Sequence, residues 1–126
     1  ESMLMADTER ASEAIRRLTR QGVVFAVDDF GTGYSSLSHL RHLKIQHLKI
    51  DRSFVSDLER DADDAAIVRA VINLAQNLRL RTIAEGVETA AQKDFLRMQG
   101  CDLAQGYFIA KPMPLEQLLN FLRNWR

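Results

Sequence analysis

Asp28 and Asp29 are adjacent carboxylates at the end of an unbroken apolar run, Val23-Val24-Phe25-Ala26-Val27. A run this rich in β-branched side chains reads as a strand buried on both faces, as in a parallel sheet. The two acids then stand at the strand's C-terminal end, where α/β sheets and barrels carry their chemistry. Neighbouring carboxylates in one cleft repel unless a cation or a proton lies between them. Hard divalent metals such as Mg²⁺ take carboxylate oxygens, so a cation is the simpler answer. Gly31-Thr32-Gly33 supplies a turn directly after the pair, and Ser35 or Ser36 can cap a helix beyond it. A plain capping pair or solvated loop accounts for neither the apolar run nor the glycine turn.

Other polar residues fall at comparable points. Lys49 ends a second strand-like run over residues 45–50, where an ammonium can hold an attacking water or a phosphate oxygen. The bland alternative is a surface lysine paired with Asp51. Asp51 itself can cap the next segment or orient Lys49. Glu85 follows Arg81-Thr82-Ile83-Ala84, and Gly86 lets the backbone turn sharply after it. Glu88 reads as a supporting or helix-capping acid. Gln105 is a neutral amide and carries little weight alone. His39, His42 and His47 lack metal-ligand spacing toward the acids and read as helix-surface or strand residues. Met3, Met5, Met98 and Met113 read as packing residues, and Trp125 as an anchor for the last helix.

Four βα units would position these groups. Residues 1–6 are short and apolar, compatible with the tail of a strand. Asp7 or Thr8 then caps a helix to about residue 21, with Ala11, Ala14, Ile15 and Leu18 as its apolar stripe. The first clear strand is residues 23–28. A short helix over residues 36–43 and a strand over residues 45–50 follow. Residues 52–64 read as a long polar connection. A helix over residues 64–78 presents Ile67, Val71, Leu74 and Leu78. A strand over residues 81–84 leads to a helix over residues 88–100, with Thr89 as cap and Gly100 as stop. A fourth strand spans residues 104–108. Pro114 opens the last helix, which runs to about residue 124 with Leu115, Leu118, Leu119 and Leu122 inside.

In order along the chain stand Asp28-Asp29-Phe30-Gly31-Thr32-Gly33-Tyr34-Ser35-Ser36-Leu37, Leu48-Lys49-Ile50-Asp51, Ala84-Glu85-Gly86-Val87-Glu88, Gln105-Gly106-Tyr107 and Lys111-Pro112-Met113-Pro114. This series resembles the EAL-domain cyclic di-GMP phosphodiesterases. Five segments in the right order and spacing make the resemblance highly specific, and it covers essentially all 126 residues. The opening Glu1-Ser2-Met3-Leu4-Met5 resembles the end of that family's Glu-x-Thr-Glu segment. The Glu-Ala-Leu signature is absent, so the chain matches only the C-terminal portion of the family's domain. The resemblance implies an α/β fold, the C-terminal part of a modified TIM-like β/α barrel with about four βα units.

Several roles are implied by the resemblance alone. Asp28 and Asp29 would ligate two divalent metals, Mg²⁺ or Mn²⁺, with Asp28 bridging both. Glu85 would lie beside the metals and the nucleophilic water as ligand or base. Lys49 would hold the water or a phosphate oxygen, and Gln105 would hydrogen-bond nearby. Glu1 would steady the Gly31-Thr32-Gly33 loop, with Asp51 and Glu88 in support. The ligand would be cyclic di-GMP, hydrolysed to linear pGpG in the bacterial cytoplasm. Upstream sensory or GGDEF domains would complete the longer protein. The remaining Glu and Asn metal ligands would lie upstream, so the isolated 126 residues are expected not to turn over, and to self-associate, as a homodimer for example, through uncovered barrel edges.

Composition fits this class. Apolar residues make up 46% and charged residues 27% of the chain, and the formal net charge is zero. That balance argues against a nucleic-acid polymer held on a broad basic surface. One cysteine, Cys101, cannot form an internal disulfide, which fits a reducing compartment. A response-regulator receiver domain shares an early acidic pair and a late Lys-Pro, but explains neither the Gly-Thr-Gly loop nor Ala84-Glu85-Gly86-Val87-Glu88. A degenerate EAL domain that binds cyclic di-GMP or a protein without hydrolysis is the nearer rival. Such domains lose acids or the loop, whereas every motif position within this chain is intact.

Overall fold

The computed structural model describes residues 2–30, 40 and 43–125, with side chains for all of these except residues 2–8 and 29. Glu1, Gly31, Thr32, Gly33, His39 and His42, and most of the helix expected over residues 36–43, lie outside the described residues.

The order of elements is α1 (Ser2–Arg20), β1 (Ala26–Phe30), β2 (His47–Ile50), α2 (Arg52–Ser56), α3 (Ala62–Asn77), β3 (Arg81–Ala84), α4 (Ala90–Gln99), β4 (Leu103–Ala104) and α5 (Leu115–Asn124). The four strands form one parallel sheet in sequence order, β1-β2-β3-β4. Consecutive parallel neighbours, with crossover helices from β2 to β3 and from β3 to β4, are the arrangement of a β/α barrel wall. β2 pairs with β3 without interruption, from His47 opposite Arg81 to Ile50 opposite Ala84.

The core lies where α2, α3 and α4 cover β2 and β3. Leu48, Ile50, Val55, Val68, Ile72, Ala75, Ala84, Val87 and Leu96 are buried there. Each large aliphatic side chain removed from water this way contributes on the order of 1.5–3 kcal/mol. Helix ends are set by local chemistry. Asp61 accepts from the Asp63 and Asp64 amides at the start of α3. Thr89 and Gln92 form a reciprocal capping box at the start of α4, and Gly100 ends that helix.

Several sequence expectations shift. The strand tail expected over residues 1–6 is the first turns of α1, which runs back past the expected cap. Met3, Leu4, Met5 and Ala6 all favour a helix, and no β-branched residue interrupts them. β1 begins at Ala26 rather than residue 23, and continues through both acids to Phe30. Val23 and Val24 are exposed, because β2 reaches back only to residues 46 and 47, whose amides meet the Phe25 carbonyl. Strand propensity without a ladder partner makes no strand. The polar connection of residues 52–64 contains α2, and β4 is only two residues long. Beyond Gln105 the chain curls away, with the Ile109 and Ala110 amides meeting the Gly106 carbonyl.

The inward faces differ as well. α3 buries Ala65, Val68, Val71, Ile72 and Ala75, leaving Ile67 and Leu78 substantially exposed. The expected stripe of α1 is exposed at Ala11, Ala14 and Leu18. Leu115, Leu118, Leu119 and Leu122 of α5 are exposed too, because no described element covers that face. Met98 is exposed rather than packed, and Trp125, though half exposed, leans on Phe121 with ring centroids 5.1 Å apart.

Candidate active site

A β-bulge organises the site. Val27 stands opposite Leu48 and Phe30 opposite Ile50, so two residues of β1, Asp28 and Asp29, face one residue of β2, Lys49. An extra residue of this kind locally breaks the ladder and re-aims side chains. The acids are therefore inside β1, not beyond its end. Of the two, Asp28 approaches the lysine with its carboxylate.

Lys49 Nζ lies 2.5 Å from Glu85 Oε1 and 3.7 Å from Asp28 Oδ2. Its side chain is 23% exposed and that of Glu85 18%, so this pair is shielded from water, while Asp28 is 57% exposed. The Glu85 carboxylate raises the Lys49 pKa above the usual value by hydrogen bonding; partial burial opposes this, and Asp28 adds a smaller upward push. The ammonium thus stays charged between two carboxylates drawn from the strands on either side of its own.

The backbone fixes these groups. Glu85 leaves β3 with its amide donating to the Ile50 carbonyl at 3.1 Å. The Gln105 amide donates to the Ala84 carbonyl at 2.9 Å, and its carbonyl accepts from Val87 at 3.0 Å. Asp28, Lys49, Glu85 and Gln105 therefore all lie at the C-terminal ends of four adjacent parallel strands. The Gln105 side chain is exposed and joins the cluster only through this backbone link. Asp51 caps α2, its carboxylate accepting from the Ser53 amide at 2.9 Å and from the Ser53 hydroxyl. Glu88 pairs with Arg52 at 3.2 Å rather than capping, that task falling to Thr89.

Sequence reasoning missed two supporting contacts. One is Arg52, whose only signal was its place beside Asp51. The other is Asp102, whose carboxylate accepts from the Thr82 amide at 2.9 Å and the Thr82 hydroxyl at 3.3 Å. The Asp102 amide donates back to that hydroxyl at 3.2 Å. Together these bonds lock β3 to the start of β4. Cys101 beside them is a free thiol, and burial pushes its pKa up, so it is a poor nucleophile.

The chain is similar to several known proteins. MucR of Pseudomonas aeruginosa, a bifunctional diguanylate cyclase/cyclic di-GMP phosphodiesterase, is 49% identical over 119 residues, 94% of this chain and 17% of its own length. The cyclic di-GMP phosphodiesterase NbdA of the same organism is 46% identical over 126 residues, all of this chain and 16% of its own. The chain thus spans about a sixth of the length of these curated relatives. Among solved structures, the PaMucR phosphodiesterase in complex with c-di-GMP superposes with a TM-score of 0.83 at 48% identity, over 90% of this chain and 46% of that one. The EAL domain of DcpA from Mycobacterium smegmatis gives a TM-score of 0.89 at 44% identity, over 95% of this chain and 54% of that one. The α/β fold is accordingly that of the TIM-like barrel of EAL domains. The EAL domain family matches residues 1–112, and the chain belongs to that family.

Proposed function

We propose that these residues are the C-terminal part of a domain that hydrolyses cyclic di-GMP to linear pGpG, using two divalent cations, Mg²⁺ or Mn²⁺. The observation that carries this reading is the convergence of Asp28 and Glu85 on one ammonium at the C-terminal edge of a parallel sheet. The names of the relatives support the substrate.

The donor chemistry suits hard cations. A positive group already sits between two carboxylates from neighbouring strands, and Asp29 shares the bulge with Asp28. Among the described residues no set of three His, Cys, Asp or Glu side chains gathers to hold a metal; the proposed ligand set is Asp28, Asp29 and Glu85 with further groups from the longer domain. When bound, such cations lower the pKa of a water and offset charge on the phosphodiester. The chain's own residues do the rest. Asp28 brings negative charge to the C-terminal ends of the strands, and Asp29 adjoins it in the sequence. Lys49 holds the Glu85 carboxylate in place, and its remaining N–H groups can meet a phosphate oxygen or the attacking water. Glu85 is the group suited to take a proton from that water. Gln105 can donate or accept a hydrogen bond beside them.

The same reading extends to partners. Upstream sensory or GGDEF domains belong to the longer protein, and the domain works in the cytoplasm. Among the described residues no helix is long and apolar enough to cross a membrane. The exposed leucines of α5 and the open edges of the sheet favour self-association of the isolated chain, with a homodimer the simplest form. Without the upstream ligands the isolated chain should be inactive.

The test is cyclic di-GMP hydrolysis by the longer domain that contains this chain. Asp28→Asn should reduce the rate by at least about 100-fold at saturating Mg²⁺ through loss of a carboxylate charge that would help hold the cations. A normal rate for that variant would overturn the two-metal reading. For the isolated 126 residues, a monodisperse monomer that hydrolyses cyclic di-GMP at the longer domain's rate would overturn both further statements.

A further inference from the structure

Two ion pairs stand in tandem above β2 and β3. The inner pair joins Lys49 to Glu85, and the outer pair joins Arg52 to Glu88 three residues further along both segments. Both pairs connect residues 36 apart, so the two segments leave the sheet in step. The outer pair is well exposed at both ends, and exposed pairs of this kind contribute little by charge alone. What distinguishes Arg52 is where its stem lies. Gly86 has φ +73°, and a Cβ there would collide with the Arg52 side chain, first with Cγ and then with Cβ and Cδ. The aliphatic part of Arg52 therefore fills the space that a side chain at position 86 would occupy, covering the turn directly after Glu85.

We propose that Arg52 is the positioning residue for the turn from Glu85 to Glu88, holding it closed so that the Glu85 carboxylate meets Lys49. Its anchorage at both ends supports this. Arg52 is the first residue of α2 and follows the Asp51 cap, so its own backbone is fixed. Glu88 is held by its amide, which donates to Gln92 Oε1 at 2.8 Å at the start of α4. The turn between is tied down by the Glu85 amide on Ile50 and the Val87 amide on Gln105. Arg52 closes over this turn and links the starts of two helices. The importance of the turn to chemistry rests on the function proposed above, but the role of Arg52 in closing it does not.

Amide hydrogen exchange in the full chain, without metal or substrate, tests this. Arg52→Ala should speed exchange at Glu85 and Val87 by about tenfold or more, while Leu80 and Thr82 at the opposite end of β3 stay within about twofold. Arg52→Met keeps the stem without the charge and should hold Glu85 and Val87 within about threefold of the parent. Gly86→Ala should shift the unfolding midpoint more in the Arg52 parent than in the Arg52→Ala background, where the Cγ and Cδ collisions are gone and only the Cβ contact and the φ strain remain. Unchanged exchange at residues 85 and 87 in Arg52→Ala, or a rise matched at residues 80 and 82, would overturn the proposal. Equal costs of Gly86→Ala in both backgrounds would overturn the steric part of it, as would Arg52→Met behaving like Arg52→Ala. Loss of hydrolysis in Asp28→Asn bears on none of these readouts, so the two proposals fail separately.

Discussion

Lys49 Nζ stands 2.5 Å from Glu85 Oε1, so the penultimate residue of β2 is tied to the residue that leaves β3. Asp28 approaches the same ammonium from β1 at 3.7 Å. One cation therefore ties three consecutive strands together at the edge where the candidate site lies. That contact has a pH signature. The folded state raises the Lys49 pKa above its usual 10.5 through the Glu85 hydrogen bond, with burial opposing. A raised pKa means that the charged form is favoured by folding, so its stabilisation is complete below 10.5 and fades as pH climbs through the folded value. Lys49→Met should lower the urea midpoint at neutral pH, and the gap to the parent should shrink as pH passes the usual lysine value. A gap that widened instead would refute the assignment.

Core and surface leucines should behave oppositely. Leu48 is fully buried between the sheet and its helices, so Leu48→Ala should cost about 2–5 kcal/mol by urea denaturation. Leu119 is exposed on α5, and Leu119→Ala should stay within about 0.5 kcal/mol. Leu119→Asp should reduce self-association of the chain, measured by light scattering after size exclusion.

The link between Thr82 and Asp102 is open to a similar test. Thr82 is buried, and both its amide and its hydroxyl donate to one Asp102 oxygen. Asp102→Ala strands these donors and should cost about 1–3 kcal/mol. Asp102→Asn keeps an acceptor in place and should cost less. Equal losses would show that charge, rather than the hydrogen bonds, matters at this point.

Gly106 faces the Val87 backbone so closely that a Cβ would run into its amide nitrogen and carbonyl. Backbone cannot swing aside as a side chain can. Gly106→Ala should therefore cost about 1–3 kcal/mol or more and separate Gln105 from Glu85. Chemical-shift changes centred on residues 85–87 in that variant would report the separation directly.

Which features could be read from the chain, and which could not, follows from the range of the forces involved. α4 and its Gly100 stop are legible because their signals are local: a Thr cap and a glycine after the last turn. The convergence of Asp28, Lys49 and Glu85 on one sheet edge is legible because each acid or lysine closes a strand-like segment. The start of β1 was misplaced because Val23 and Val24 have strand composition but no ladder partner. The inward faces of α1 and α5 are not legible, because amphipathicity states which side is apolar, not whether anything covers it. The buried face of α3 is centred on Val68 and Ile72, and which apolar side faces the sheet depends on tertiary packing rather than on the periodicity. Arg52 and Asp102 act across 36 and 20 residues of chain, and no local pattern announces such contacts.

The bulge in β1 also bears on heredity. Between Val27 and Phe30 the strand carries two residues where β2 carries one. Removing a single codon there would even the count and leave Val27 and Phe30 opposite their present neighbours, Leu48 and Ile50. Elsewhere in the sheet such a deletion would turn every later side chain to the other face. A lineage could thus lose one acid of the pair and keep the wall of the barrel intact. The candidate acidic pair thus sits on an extra residue that the pairing of β1 with β2 does not require.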